Sequence, residues 1–216
     1  MIPYSRQNIQ KKDIKEVSKI LKSDFITQGP IVKKLENKLS KFCGAKFASA
    51  LNSATSALHI SCLALGLKKN DILWTTPNSF VASANCGLYC GAKVSFVDID
   101  PNTYCMSLDD LEKKLILAKK KNKLPKIIVP VHYAGYPMNI KRIYQLKKKY
   151  NFYIIEDASH ALGAQNNDFK VGSCKYSDIT VLSLHAIKII TAAEGGIILN
   201  NSKQINEKVN MLKEHG

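Results

Sequence analysis

Short, mostly apolar runs rich in β-branched residues recur along this chain, each followed by turn residues and a stretch of helical period. The runs are Phe47–Leu51, Ile72–Thr75, Val94–Val97, Ile127–Val131, Tyr153–Ile155, Ile179–Leu182 and Ile197–Leu199. They are too short for helices and are bounded by turn chemistry, so they read as strands, several of them buried on both faces. Between them, helical patterns fall at residues 31–42, from about 55 to Gly66, and at 79–90, 107–121, 139–150 and 203–214. Ahead of the first strand, residues 11–22 place Ile14, Val17, Ile20 and Leu21 on one helical face. Alternation of this kind needs crossover connections, which make a mostly parallel sheet covered by helices. The expected class is α/β.

Composition narrows the function more by exclusion than by pointing. A 216-residue chain with 45% apolar residues can bury a sizeable core and is not disordered. No apolar run reaches the roughly 18 residues of a membrane span. The opening Met1-Ile2-Pro3-Tyr4-Ser5-Arg6 has no signal-peptide apolar region, so a cytoplasmic location is expected. Six cysteines are scattered without CxxC pairs or histidines at metal spacing, which predicts buried thiols and no metal site. The formal charge of +15 comes largely from lysine runs such as Lys119–Lys121 and Lys147–Lys149. Without interleaved aromatics or a known module these read as solvated helix faces, and no nucleic-acid partner is expected.

The chemistry is concentrated where strands end. Tyr153-Ile154-Ile155 runs into Glu156-Asp157-Ala158-Ser159-His160, and Ile179–Leu182 into Ser183-Leu184-His185-Ala186-Ile187-Lys188. Open α/β sheets bind ligands outside the carboxyl ends of their strands. A carboxylate, a hydroxyl and an amine delivered there suit pyridoxal 5′-phosphate (PLP). That cofactor needs an amine to hold it covalently, an anion opposite its ring nitrogen, phosphate donors and a stacking surface. Lys188, Asp157 and Ser183 supply the first three. Asn52-Ser53-Ala54-Thr55, between a strand and a helix, adds free N–H groups and hydroxyls for a phosphate, or is an ordinary N-cap. Phe80, just past a strand end in the first turn of the 79–90 helix, is either a core aromatic or a stacking surface. Each residue also has a plain alternative: surface lysine, helix cap, strand-end hydroxyl.

Together, Thr27-Gln28-Gly29-Pro30, Asn52 to Leu58, Pro77 to Asn85, Glu156 to Ala161, Ser183 to Lys188 and Glu194-Gly195-Gly196 resemble the DegT/DnrJ/StrS sugar aminotransferases. Those have the type I aspartate-aminotransferase fold. The opening Ile2–Gln7 and the string Ser53–His59 are most similar to members acting in pseudaminic acid biosynthesis. The resemblance implies L-glutamate as amine donor and a UDP-linked 4-keto-6-deoxy-N-acetylhexose as acceptor, in a homodimer. It makes Lys188 the catalytic, PLP-bearing lysine, sets Asp157 on the ring nitrogen, Phe80 on the ring face and His160 near the ring hydroxyl. Ser183, Ala54 and Thr55 go to the phosphate and substrate side, and Tyr4, Asp24, Phe25, Ile26 and Thr27 to the sugar-nucleotide pocket. A relative that removes a sugar hydroxyl typically has His at the lysine position, and Lys188 argues against it. Leu184 replaces a usual Phe, and Ala192-Ala193 a usual Thr-Gly, a change that could shift the loop after the lysine. Members are also longer, so residues 1–216 are expected to be an N-terminal arm plus the PLP-binding large domain, without the C-terminal small domain.

Overall fold

A computed structural model describes Ile2, residues 5–166 and residues 169–214. Seven strands, β1 (Phe47–Leu51), β2 (Ile72–Thr75), β3 (Lys93–Phe96), β4 (Ile127–Ile128), β5 (Tyr153–Asp157), β6 (Ile179–Ser183) and β7 (Gly196–Asn200), form one sheet. Their order is β1-β7-β6-β5-β4-β2-β3. From β3 to β6 every pairing is parallel, and β7 runs antiparallel to both β6 and β1. The mostly parallel sheet is therefore as the sequence predicts, with β7 the exception. Its reversal brings Gly196 opposite Ser183, at the edge where β1, β2, β5 and β6 all end.

The helices are α1 (Lys11–Leu21), α2 (Pro30–Cys43), α3 (Ala54–Ala64), α4 (Ala82–Tyr89), α5 (Leu108–Lys120), α6 (Ile140–Tyr150) and α7 (Lys203–Lys213). Ser53, Ser107, Asn139 and Ser202 cap the starts of α3, α5, α6 and α7 with their side-chain oxygens. Gly44 closes α2 in the left-handed conformation, at φ +82°. Strand alternation divides the core. Ile155, Ile179 and Val181 pack against α3, α4 and α7, whereas Ile154 packs against α5 and α6. Side chains of this size stabilise by about 1.5–3 kcal/mol each when fully buried. All six cysteines are free; Cys90 is half-buried and the rest are buried.

Two expectations need correction, and one helix face is left open. The helix expected from Ser79 begins at Ala82, so Phe80 precedes it. The strand expected over 127–131 is paired continuously only at Ile127 and Ile128, because Pro130 has no N–H to give; its carbonyl still accepts from Asp157, and Val131 bridges Asp157. The apolar face of α1 is open, with Ile14, Val17 and Leu21 between 58% and 70% exposed. No described helix is long and apolar enough to cross a membrane.

Glu36 ties the periphery together. Its buried carboxylate accepts from the Ala50 N–H (2.9 Å) and from Lys213 Nζ (3.0 Å), joining α2, β1 and α7. Replacing it by Ala strands a largely buried ammonium and an amide, so Glu36→Ala should cost about 3 kcal/mol in urea unfolding.

Candidate active site

Parallel register fixes the first two groups. Asp157 pairs with Val181 across β5 and β6, so the ends of the two strands project past one edge together. A cavity of about 630 Å³ opens there, and Ser53, Ala54, Thr55, Asp157, His160, Ser183 and Lys188 all line it. Phe80 lines it too, with 74% of its surface exposed, so it is not a core aromatic. Asp24, Phe25, Ile26 and Thr27 lie in the exposed segment between α1 and α2 and are not among the lining residues. Tyr4 lies outside the described residues.

At one end of the cavity the chain is built for an anion. Ala54 and Thr55 occupy the first positions of α3, where N–H groups have no carbonyl within the helix and the dipole is positive. This turn sits against β7 so closely that a Cβ on Gly196 would lie 2.2 Å from the Ser53 carbonyl oxygen. Only glycine fits. The Ser183 hydroxyl, which accepts from the His185 N–H at 3.3 Å, stands beside it.

The Asp157 carboxylate is buried, and both oxygens are engaged. Ser159 donates to Oδ1 through its hydroxyl (2.6 Å) and its N–H (3.2 Å), while Ser83 Oγ donates to Oδ2 at 2.6 Å. Lys188 Nζ contacts His160 Nε2. Burial pushes the Lys188 amine below the ordinary lysine range, with Asp157 offsetting part of the fall. Burial and then the neighbouring Lys188 charge likewise lower His160. With the Lys188 amine as donor, His160 accepts through Nε2.

Behind the site runs a second polar group that sequence reasoning did not resolve. Glu156 points to the face opposite Asp157 and accepts from Thr180 Oγ1 (2.9 Å) and Ser177 Oγ. The Met138 N–H donates to His132 Nδ1 (3.2 Å), which leaves the proton on Nε2 to bond Glu156 at 2.7 Å. This fixes the strand end from which Tyr133-Ala134-Gly135 turns over the cavity. The signal was present: period-two alternation sends one of two adjacent carboxylates to the far face, where a buried charge requires partners.

Lys188 sits on the connection from Ser183 to Gly196. Leu184 donates to the Gly195 carbonyl and accepts from the Ala192 N–H, both at 2.9 Å, and Ser5 Oγ donates to the Ile187 carbonyl. Ala193 is left-handed at φ +65°, a conformation costing an L-residue about 1–2 kcal/mol. The Gly-to-Ala difference noted above thus leaves strain at Ala193, while the Thr-to-Ala difference at Ala192 has no structural explanation.

An α/β sheet with amine, carboxylate and anion site at its strand ends is the large-domain fold of PLP-dependent aminotransferases. The chain belongs to the DegT/DnrJ/EryC1/StrS aminotransferase family, whose pattern it matches over residues 7–216. It is 41% identical, over its whole length and 56% of the relative, to the UDP-4-amino-4,6-dideoxy-N-acetyl-beta-L-altrosamine transaminase of Campylobacter jejuni. Its structure superposes with a TM-score of 0.89 on PseC of Helicobacter pylori, an aminotransferase involved in pseudoaminic acid biosynthesis. That match has 36% identity over 99% of this chain and 56% of the other. NtdA of Bacillus subtilis, solved with bound cofactor PMP, matches with a TM-score of 0.83 and 27% identity over 100% of this chain and 49% of its own. The chain spans a little over half the length of the curated relatives it matches.

Two measurements test this geometry. Gly196→Ala should drive the start of α3 off β7, lowering the melting temperature and weakening phosphate binding at the cavity together. A lysine whose folded pKa is lowered binds fewer protons folded than unfolded below its ordinary value of 10.5. Its penalty is full below the folded pKa and vanishes as pH rises to the unfolded one. Lys188→Met should therefore be more stable than wild type at neutral pH, an advantage that disappears in thermal melts near pH 10.5.

Proposed function

We propose that this chain forms the PLP-binding half of a sugar-nucleotide aminotransferase. In this reading an amino group passes from L-glutamate to C4 of a UDP-linked 4-keto-6-deoxy-N-acetylhexosamine. One observation carries the reading: Lys188, Asp157, Ser183 and the open first turn of α3 line a single cavity. Those donors fit the cofactor, because an anion site and an amine stand with a buried carboxylate in one slot of suitable size. When bound, PLP supplies an electron sink that makes the carbon bearing the amino group acidic.

The protein's residues do the remainder. The α3 N–H groups and the Ser183 hydroxyl hold the phosphate, and Asp157 faces the ring nitrogen. Phe80 covers a ring face, and His160 stands at the hydroxyl edge. Lys188 would anchor the cofactor and, once released, would carry a proton to and from the reacting carbon, and burial, which lowers its pKa, favours both tasks.

The C4 position, the UDP group and pseudaminic acid biosynthesis follow from likeness to the Campylobacter and Helicobacter enzymes. Another nucleotide-linked keto sugar is the alternative substrate class. A homodimer is part of the proposal, supported by the open apolar face of α1 and by exposed Phe80, Val81, Leu88 and Tyr89 around α4. A cytoplasmic location is part of the same proposal, supported by the nucleotide-sugar substrates it assigns.

Incubation with PLP should give a visible absorbance band, and borohydride should fix the label on the peptide containing Lys188. Lys188→Ala should lose both; a band or label that survives the substitution overturns the assignment. Conversion of L-glutamate to 2-oxoglutarate, coupled to a panel of UDP-, dTDP- and GDP-linked 4-keto sugars, tests the reaction and its acceptor.

A further inference from the structure

We infer that Ser83, backed by Ser79, is a positioning residue that aims the Asp157 carboxylate at the ring nitrogen of a pyridine ring bound in the cavity. The inference rests on the reading of the cavity given above. Ser83 is fully buried at the second residue of α4, whereas a serine further inside a helix can give its proton to the carbonyl one turn back. Ser61, equally buried on α3, does that, donating to the Ala57 carbonyl at 2.6 Å. Ser83 instead donates across to Asp157 Oδ2, at 2.6 Å and 74 residues away in sequence.

The difference matters because of where the other donors to this carboxylate come from. Both contacts on Oδ1 are from Ser159, two residues on, which moves with Asp157 and cannot fix it relative to the cavity. Ser83 ties it to another element. The bond also has a direction. An ionised carboxylate only accepts, so the Ser83 proton is spent on Asp157. In the 2.8 Å contact between Ser79 Oγ and Ser83 Oγ, Ser79 must then be the donor. The chain runs Ser79 to Ser83 to Asp157, and Ser79 lines the cavity next to Phe80. One short segment therefore supplies both the ring-face residue and the clamp on the carboxylate. With a hydroxyl on each oxygen the carboxylate is held against rotation, and because Oδ1 also takes the Ser159 N–H, the free lone pair is on Oδ2, the oxygen Ser83 holds.

The test compares equilibrium binding of PLP with that of its 1-deaza analogue, which has CH in place of the ring nitrogen. Proteins are the full chain as wild type, Ser83→Ala, Ser79→Ala, Asp157→Ala and the Ser83/Asp157 double variant, with melting curves recorded for each. Ser83→Ala should bind PLP about tenfold more weakly, the scale of a lost hydrogen bond to a charged group, yet bind the analogue within about twofold of wild type. Ser79→Ala should show the same selectivity with a smaller loss, and the double variant should match Asp157→Ala. Equal weakening of both ligands shows a packing role and overturns the inference, as does unchanged PLP affinity in Ser83→Ala. If Ser83→Ala does not fold, Ser79→Ala decides by the same criterion. Wild type that binds neither ligand overturns the reading of the cavity itself, a result distinct from those.

Discussion

Everything at the functional edge depends on the parallel pairing of β5 with β6. Because Ile155 stands opposite Ile179 and Asp157 opposite Val181, both strands finish at one edge, β6 running on to Ser183 past the end of β5. A carboxylate and the start of the lysine-bearing loop then emerge side by side. The pairing itself is held by residues with no polar role: Ile155, Ile179 and Val181 are completely buried against one layer of helices and Ile154 against the other. A slip of one residue would exchange the faces of the whole strand, sending Asp157 to the side now occupied by Glu156. Register and chemistry are the same constraint here.

Charge is arranged with matching economy. The sheet edge brings a buried carboxylate, a half-buried amine and the positive end of α3 into one cavity. Among the described residues the buried carboxylates have partners: Asp157 has serines, Glu156 has His132, Ser177 and Thr180, and Glu36 has Lys213 and an amide. The +15 net charge, by contrast, lies mostly on helix faces away from this edge, and exposed pairs such as Lys113–Asp110 stabilise little.

Much of this was legible in the residues. Strand positions follow from short apolar runs, and parallel topology from their alternation with helices. The cavity residues Asp157, Ser183, Ala54 and Thr55 could be placed because each lies directly at a strand end or helix start, and Lys188 because it follows one closely. What escaped depends on contacts distant in sequence. Ser83 looks like any helix serine until α4 is laid over β5. Gly196 looks like a turn glycine until α3 is pressed onto it. Reversal of β7 could not be read either, since a buried strand has the same apolar pattern in both directions. The helical stripe on α1 was seen, but a pattern of period 3.6 does not say whether anything covers it.

The loop from Ser183 to Gly196 hangs between two strand ends that are themselves paired, and it is closed on itself by the bonds between Leu184 and residues 192 and 195. Its backbone is consequently pinned at the base of Lys188. Travel of the amine toward or away from a partner in the cavity needs only torsion about side-chain bonds, a matter of nanoseconds or less for a partly exposed lysine. In the proposed reaction, no rearrangement of the main chain has to precede the movement of this amine.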